Sequence, residues 1–234
     1  MNTTASLYID LIKRVLMDQI HNDDPRRIDG RDWPAQGFTM VGKKRLDNLQ
    51  FCAEQVLKNR INGDFLEAGV WRGGAAILLR ALLKENGCLD RSVWLADSFQ
   101  GLPPPKPEWA ADAGDTLHQY KELAVSLEKV KQNFASFDLL DDQVKFIPGW
   151  FHETLKTAAI DKLSLLRLDG DMYESTYVSL DALYDKVTPG GYIIVDDYGF
   201  IESCKKAVHD FLDTRNLKPE IISVDWTGVY WCKS

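Results

Sequence analysis

No apolar run in this 234-residue chain approaches the roughly 20 residues that a membrane-crossing helix needs, and its first residues carry no basic, apolar, small-residue leader pattern. A membrane partner is not expected, and a cytoplasmic location is. Cysteine is scarce. Cys52, Cys88, Cys204 and Cys232 stand far apart without a C-x-x-C pair, which argues against a structural zinc site and fits reduced thiols. Positive charge is in deficit: 28 Lys and Arg face 35 Asp and Glu, for a net charge of -7, and no basic run offsets it. Nucleic acid is therefore a poor partner and a small molecule a better one. Repeats and low-complexity stretches are absent as well. What the chain does contain, 45% hydrophobic and 27% charged residues, excludes disordered and fibrous classes and can bury one large core. A single domain over residues 1–234 is expected.

The chain is organised around residues 163–198, LSLLRLDGDMYESTYVSLDALYDKVTPGGYIIVDDY. Its two short apolar runs, 163–168 and 192–195, read as buried strands. Between them Tyr177, Leu180, Leu183, Tyr184 and Val187 recur at helical spacing, and Pro189-Gly190-Gly191 is expected to stop that helix. A strand, a helix and a strand of this length form a right-handed crossover with parallel strands, so both carboxyl ends open on one edge of the sheet. That edge binds ligands in open α/β sheets, and here it receives Asp169 and Asp171 from one strand, Asp196 and Asp197 from the other. Four such carboxylates repel one another unless a cation or a proton intervenes.

Residues 5–21 carry Leu7, Leu11, Ile12, Val15, Leu16 and Ile20 on one stripe, and His21 to Pro25 is expected to end this helix, which could pack on the core or on a partner subunit. Residues 29–42 are too rich in Gly and aromatics for a regular element and form a loop that either covers a pocket or wraps the surface around Trp33. A second helix spans 44–59 with Leu46, Leu49, Ala53, Val56 and Leu57 inward, completing a helical extension over residues 1–60. The core starts with a strand over 64–70, followed by Trp71-Arg72-Gly73-Gly74 and an apolar helix. Strand, glycine turn and helix outline a cofactor loop, yet the spacing misses the G-x-G-x-x-G of dinucleotide enzymes. Glu67 would repel pyrophosphate and suits a cationic amino group. A strand over 93–99 places Asp97 where it can accept from two ribose hydroxyls, which indicates adenosine without saying which cofactor. GLPPPKP (residues 101–107) forms a loop, and a helix over 117–137 follows, either as part of a lid over 101–137 or as a plain crossover. A third strand covers 143–150. Ala207, Val208, Phe211 and Leu212 mark a last helix, and strands over 220–226 and 229–232 joined at Thr227-Gly228 close the chain as an antiparallel hairpin.

These segments carry a resemblance. Asp32-Trp33-Pro34, Thr39-Met40-Val41-Gly42, Arg45-Leu46-Asp47-Asn48-Leu49-Gln50, Glu67-Ala68-Gly69-Val70-Trp71-Arg72-Gly73-Gly74, Asp97-Ser98-Phe99-Gln100-Gly101-Leu102-Pro103, residues 123–133, Pro148-Gly149-Trp150-Phe151, Leu168-Asp169-Gly170-Asp171-Met172-Tyr173-Glu174-Ser175-Thr176 and Val195-Asp196-Asp197-Tyr198 follow one another as in the macrocin O-methyltransferase (TylF-like) family, which the chain resembles from about residue 29 onward. The resemblance implies a class I methyltransferase fold: a Rossmann-like, doubly wound α/β structure whose mostly parallel sheet ends in an antiparallel hairpin. It implies S-adenosylmethionine as methyl donor, a divalent cation, usually Mg2+, a hydroxylated small-molecule acceptor such as a sugar on a natural product, and a homodimer or higher homo-oligomer. Met40, Glu67, Gly69, Asp97, Ser98, Trp150 and Asp169 are then expected at the cofactor, and Asp169, Asp196 and Asp197 at the metal.

Methyl transfer from a sulfonium is an in-line displacement, and an alcohol is a poor nucleophile at neutral pH. A hard cation can bind and orient the hydroxyl, and Asp169 or Asp171 would take its proton. Asp171 could instead cap the helix starting near Glu174. His118 is a second base candidate, though a single His without a visible partner more often lies on the surface. A nucleotide-dependent oxidoreductase would also use Asp97, but it has no need of clustered aspartates. A non-catalytic adenosylmethionine-binding protein would keep the pocket and lose the metal acids.

Overall fold

The computed structural model describes residues 3–20 and 24–234. Its strands are β1 (Asp64–Ala68), β2 (Val93–Asp97), β3 (Val144–Pro148), β4 (Leu163–Leu168), β5 (Val187–Val195), β6 (Ile222–Ser223) and β7 (Val229–Cys232), hydrogen-bonded in the order β3-β2-β1-β4-β5-β7-β6. The first five are parallel, while β7 runs antiparallel to β5 and β6 antiparallel to β7. This is the doubly wound sheet with a terminal hairpin that the strand and turn pattern predicts. The second hairpin strand inserts beside β5, leaving the short β6 at the edge. The turn is longer than Thr227-Gly228: Val224 N–H donates to the Gly228 carbonyl, and Asp225 Oδ1 accepts from the amides of Thr227 and Gly228.

Alternate residues of the central strands enter two cores. Phe65, Val93, Leu95 and Leu165 pack beneath helices α1 (Thr3–Leu16), α3 (Lys43–Lys58), α4 (Gly74–Glu85) and α5 (Leu127–Ser136). Leu66, Ala68, Leu166 and Leu168 pack beneath α7 (Tyr173–Leu183) and α8 (Glu202–Thr214). Two further helices are short, α2 (Pro25–Asp29) beside α3 and α6 (Phe151–Thr154) beside α7. Burial on both faces explains why these strands read as continuous apolar runs.

Several boundaries differ from the sequence reading. Helix α1 stops at Leu16 because Asp18 turns left-handed (φ 61) and Gln19 N–H reaches back to the Arg14 carbonyl. The segment 21–23, expected to end it, lies outside the described residues. The apolar stripe expected on α1 is divided: Ile12 and Leu16 are buried, together with Ile9 and Met17, whereas Leu7 and Leu11 face outward at 69% and 52% exposure. Pro189-Gly190-Gly191 does not stop a helix. Helix α7 ends at Leu183 with a short 3-10 turn, and β5 already begins at Val187, its pairing with β4 slipping between Val187 and Tyr192. The helix expected over 117–137 is only Leu127–Ser136, capped by the Ser126 hydroxyl on the Lys129 amide, with single 3-10 turns before it.

Candidate active site

Every parallel strand delivers its carboxyl end to the same edge. After β1 the chain turns through Gly69 (φ 88), where an added Cβ would lie 1.8 Å from the Asp169 carbonyl oxygen. No side chain fits there, so this glycine lets the ends of β1 and β4 meet. Asp97 at the end of β2 accepts from the Val70 amide at 2.8 Å and the Phe99 amide at 2.7 Å, tying the glycine turn to the neighbouring strand. Its burial raises the carboxyl's pKa against the pull of those amides. One cavity of about 420 Å³ spans this edge. Met40, Glu67, Gly69, Asp97, Ser98, Trp150, Asp169, Asp171, Asp196 and Asp197 all line it, from well-separated segments of the chain.

The acids are compensated by arginines. Arg167, on β4 opposite Glu67, donates to Glu67 Oε1 at 2.5 Å, to Asp169 Oδ2 at 2.7 Å and to Asp196 Oδ1 at 2.6 Å. Arg45 of α3 holds the other Asp196 oxygen and reaches Asp225 at 3.1 Å. Burial would raise Asp196, but Arg45 and Arg167 overcome it and hold its carboxyl below the usual range. Asp171 and Asp197 have no such partner among the described residues and are pushed well up, first by burial and then by the neighbouring acids. Glu67 is raised to about 8, again first by burial.

The cavity has two further walls. Residues 30–41 are pinned from beneath: Arg27, fully buried, donates to the carbonyls of Met40 and Val41, and Arg72 donates to those of Pro34, Ala35 and Gly37. Gly30 to Trp33 and Thr39 to Val41 line the cavity, so this loop covers a pocket and its anchors are the two arginines, Trp33 being 48% exposed. The edge of Trp33 meets Tyr120 with centroids 5.3 Å apart, joining this loop to residues 101–126.

Three comparisons bear on this site. Residues 8–233 match the family model described as macrocin-O-methyltransferase (TylF). The chain belongs to that family. It is 47% identical to a demethyldecarbamoylnovobiocin O-methyltransferase of Streptomyces niveus, over 98% of this chain and 94% of that one. It is 43% identical to a mycinamicin III 3''-O-methyltransferase of Micromonospora griseorubida, over 100% and 98%. The solved structure of the O-methyltransferase NovP superposes with a TM-score of 0.96 at 48% identity, covering 98% of this chain and 99% of that one. A calicheamicin methyltransferase, at 17% identity and a TM-score of 0.65, shares the fold. This protein is thus an S-adenosylmethionine-dependent O-methyltransferase.

The methyltransferase's own residues would fit a donor ammonium and a divalent cation. Glu67 Oε2 is buried without a hydrogen-bond partner, which suits an arriving ammonium. Asp169, Asp196 and Asp197 each bring a carboxylate oxygen within 4.8 Å of one another, an all-oxygen donor set that suits a hard divalent cation. The structure places two residues for which the sequence left alternatives. His118 is absent from the cavity wall, which carries His152 instead, its Nδ1 3.4 Å from Glu174 Oε1. Asp171 does not cap α7: Asp112 does, accepting from the amides of Tyr173 at 2.7 Å and Glu174 at 2.9 Å. Arg45, Arg167 and Asp112 escaped the sequence reading. Arg167 left one signal, a lone charge inside the apolar run LSLLRL.

Proposed function

We propose that this methyltransferase transfers the methyl group of S-adenosylmethionine to a hydroxyl of a sugar borne by a natural product, with a divalent cation, Mg2+ foremost, held by Asp169, Asp196 and Asp197. The observation that carries this reading is the single cavity in which Glu67, Asp97 and the three aspartates converge on one sheet edge. The relatives' names support the acceptor class, since they specify a novobiocin precursor, a rhamnosyl tetracenomycin and a mycinamicin.

In this reading Glu67 takes the donor's amino group, Asp97 its ribose hydroxyls, and Met40, Gly69, Ser98, Trp150 and Asp169 complete the donor's surroundings. The strand order spaces these groups along the edge, so a donor held by Glu67, Asp97 and Trp150 would lie over β1, β2 and β3, beside the aspartates after β4 and β5. A bound cation supplies Lewis acidity that lowers the hydroxyl's pKa. The protein's part is to hold the acceptor oxygen in line behind the methyl group and to accept its proton. Asp171 is the favoured acceptor of that proton. It lines the cavity beside Asp169 without an arginine partner among the described residues, and a raised pKa makes its ionised form the stronger proton acceptor. Asp169, committed to Arg167, is the less available of the two.

Residues 101–137 act as a lid in this proposal, with Leu117 and Leu123 on the cavity wall and the Trp71 indole donating to the Glu122 carbonyl. The outward apolar side chains of α1 support a homodimer or higher homo-oligomer, and four free cysteines fit a cytoplasmic location. No helix among the described residues is long and apolar enough to cross a membrane.

Mass spectrometry of candidate glycosides incubated with the enzyme, donor and Mg2+ tests the proposal. A gain of one methyl group on the sugar is expected, lost in chelator and restored by Mg2+. Full turnover in chelator, with metal absent by elemental analysis, would remove the cation from the reading.

A further inference from the structure

Arg167 is 2% exposed, and the three acids it holds are spread over two proposed subsites. In the function proposed above Glu67 takes the donor's amino end and Asp196 the cation, while Asp169 borders both. One guanidinium therefore spans the boundary, with Nη1 shared between Glu67 and Asp169 and Nη2 on Asp196. Resting on the function proposed above, we infer that Arg167 is a positioning residue that couples the donor subsite to the cation subsite, so that filling either weakens the other.

The free valence at each end gives the direction. Glu67 Oε2 is buried and unpartnered, so an ammonium arriving there shares a carboxylate that otherwise belongs to Arg167 alone. The guanidinium charge is then less compensated at Glu67 and bears more on Asp169 and Asp196, which become poorer ligands for a dication. Asp196 has no way to offset this, because its second oxygen is taken by Arg45. The reverse holds for a cation arriving first: it draws Asp169 and Asp196 away from Arg167, which leans harder on Glu67 and leaves less negative charge for the ammonium. A planar fork fixed by three charge-assisted hydrogen bonds transmits this better than a flexible amine would.

The test is calorimetric titration of the metal-stripped full chain with S-adenosylhomocysteine, a probe that keeps the amino group and lacks the sulfonium charge. Saturating MgCl2 is expected to raise its Kd by about three- to tenfold, and saturating S-adenosylhomocysteine to raise the Kd for Mg2+ by the same factor, as linkage requires. In Arg167→Lys the charge remains but one nitrogen cannot span the acids, so both ligands still bind and the factor falls to near unity. A purely structural role would shift each affinity and leave their mutual dependence in place. Mg2+ binding with an S-adenosylhomocysteine affinity unchanged by it overturns the coupling and leaves the cation reading standing. No Mg2+ binding at all overturns that reading and the coupling with it. The wild-type titrations decide the coupling even if Arg167→Lys fails to fold, and an undiminished factor in that variant would overturn the role of Arg167.

Discussion

At the scale of single residues, environment gives chemically identical carboxylates different tasks. Asp196, clamped by two arginines, stays ionised, whereas Asp171, two residues past Asp169 and in a left-handed conformation (φ 59), has its carboxyl pushed well up by burial and neighbouring acids. Asn tolerates that backbone conformation, so Asp171→Asn is expected to fold and to bind S-adenosylhomocysteine as the wild type does. If Asp171 is the base, kcat falls roughly 10²- to 10⁴-fold in single-turnover and steady-state assays; an unchanged rate would return the role to Asp169. Glu67 lends itself to a pH experiment on the protein without metal or donor. Its folded-state pKa is raised from 4.5 to about 8, so the stability linked to its proton is present below the lower value and is lost as pH rises through the higher one. Calorimetric melting should therefore show stability declining between about pH 5 and 8, and a smaller decline in Glu67→Gln. A residual slope is expected from Asp171 and Asp197, which shift in the same direction. Identical slopes in the two proteins would contradict the raised Glu67.

At the scale of elements, helix α7 is the point where the segment 101–126 is fastened to the site. Met172, just before its first turn, offers no side-chain cap, and Asp112 fills that role from far away in sequence. Lys106 adds an ion pair to Glu174 at 2.7 Å. The segment thus closes the cavity through a few polar contacts, the kind of fastening that opens without disturbing the core. Asp112→Ala is expected to cost about 1 kcal/mol in unfolding free energy, as for other lost helix caps. Hydrogen exchange over residues 101–126 should accelerate in that variant while the core strands keep their protection. Uniform acceleration across the sheet would mean that Asp112 supports the whole fold and not the segment.

For the whole molecule, the outer side of α1 is one apolar surface that the single chain leaves uncovered. Leu7 at 69% and Leu11 at 52% exposure stand with Tyr8 at 36% on a helix that buries Ile9, Ile12 and Leu16. If this surface joins two copies, Leu11→Glu places a charge in the interface and should shift the species to the monomer mass in light scattering after size exclusion. The monomer's melting temperature should change little, because Leu11 is half exposed and is not one of the buried core residues. A wild type already monomeric at micromolar concentration would remove the oligomer from the proposal.

The sequence by itself determined the sheet, the edge and the residues gathered there. Strands buried on both faces must be continuous apolar runs, and parallel strands joined by helices must end together, so Asp97, Asp169, Asp171, Asp196 and Asp197 were placed on one edge by periodicity and crossover handedness alone. Boundaries were harder wherever a backbone feature overrode composition. Asp18 ended α1 by a left-handed turn, and residues 117–126 broke into single 3-10 turns ahead of a Ser126 cap. Only the tertiary structure decided how the acids are neutralised and what caps α7. Arg45 meets Asp196 across 151 residues, Arg167 meets Glu67 across 100, and Asp112 meets Tyr173 across 61. Local patterning carries the period of a helix or a strand, but it holds no record of which distant charge will share a buried space. That choice is made when the sheet closes and each buried carboxylate must find a partner or give up its charge.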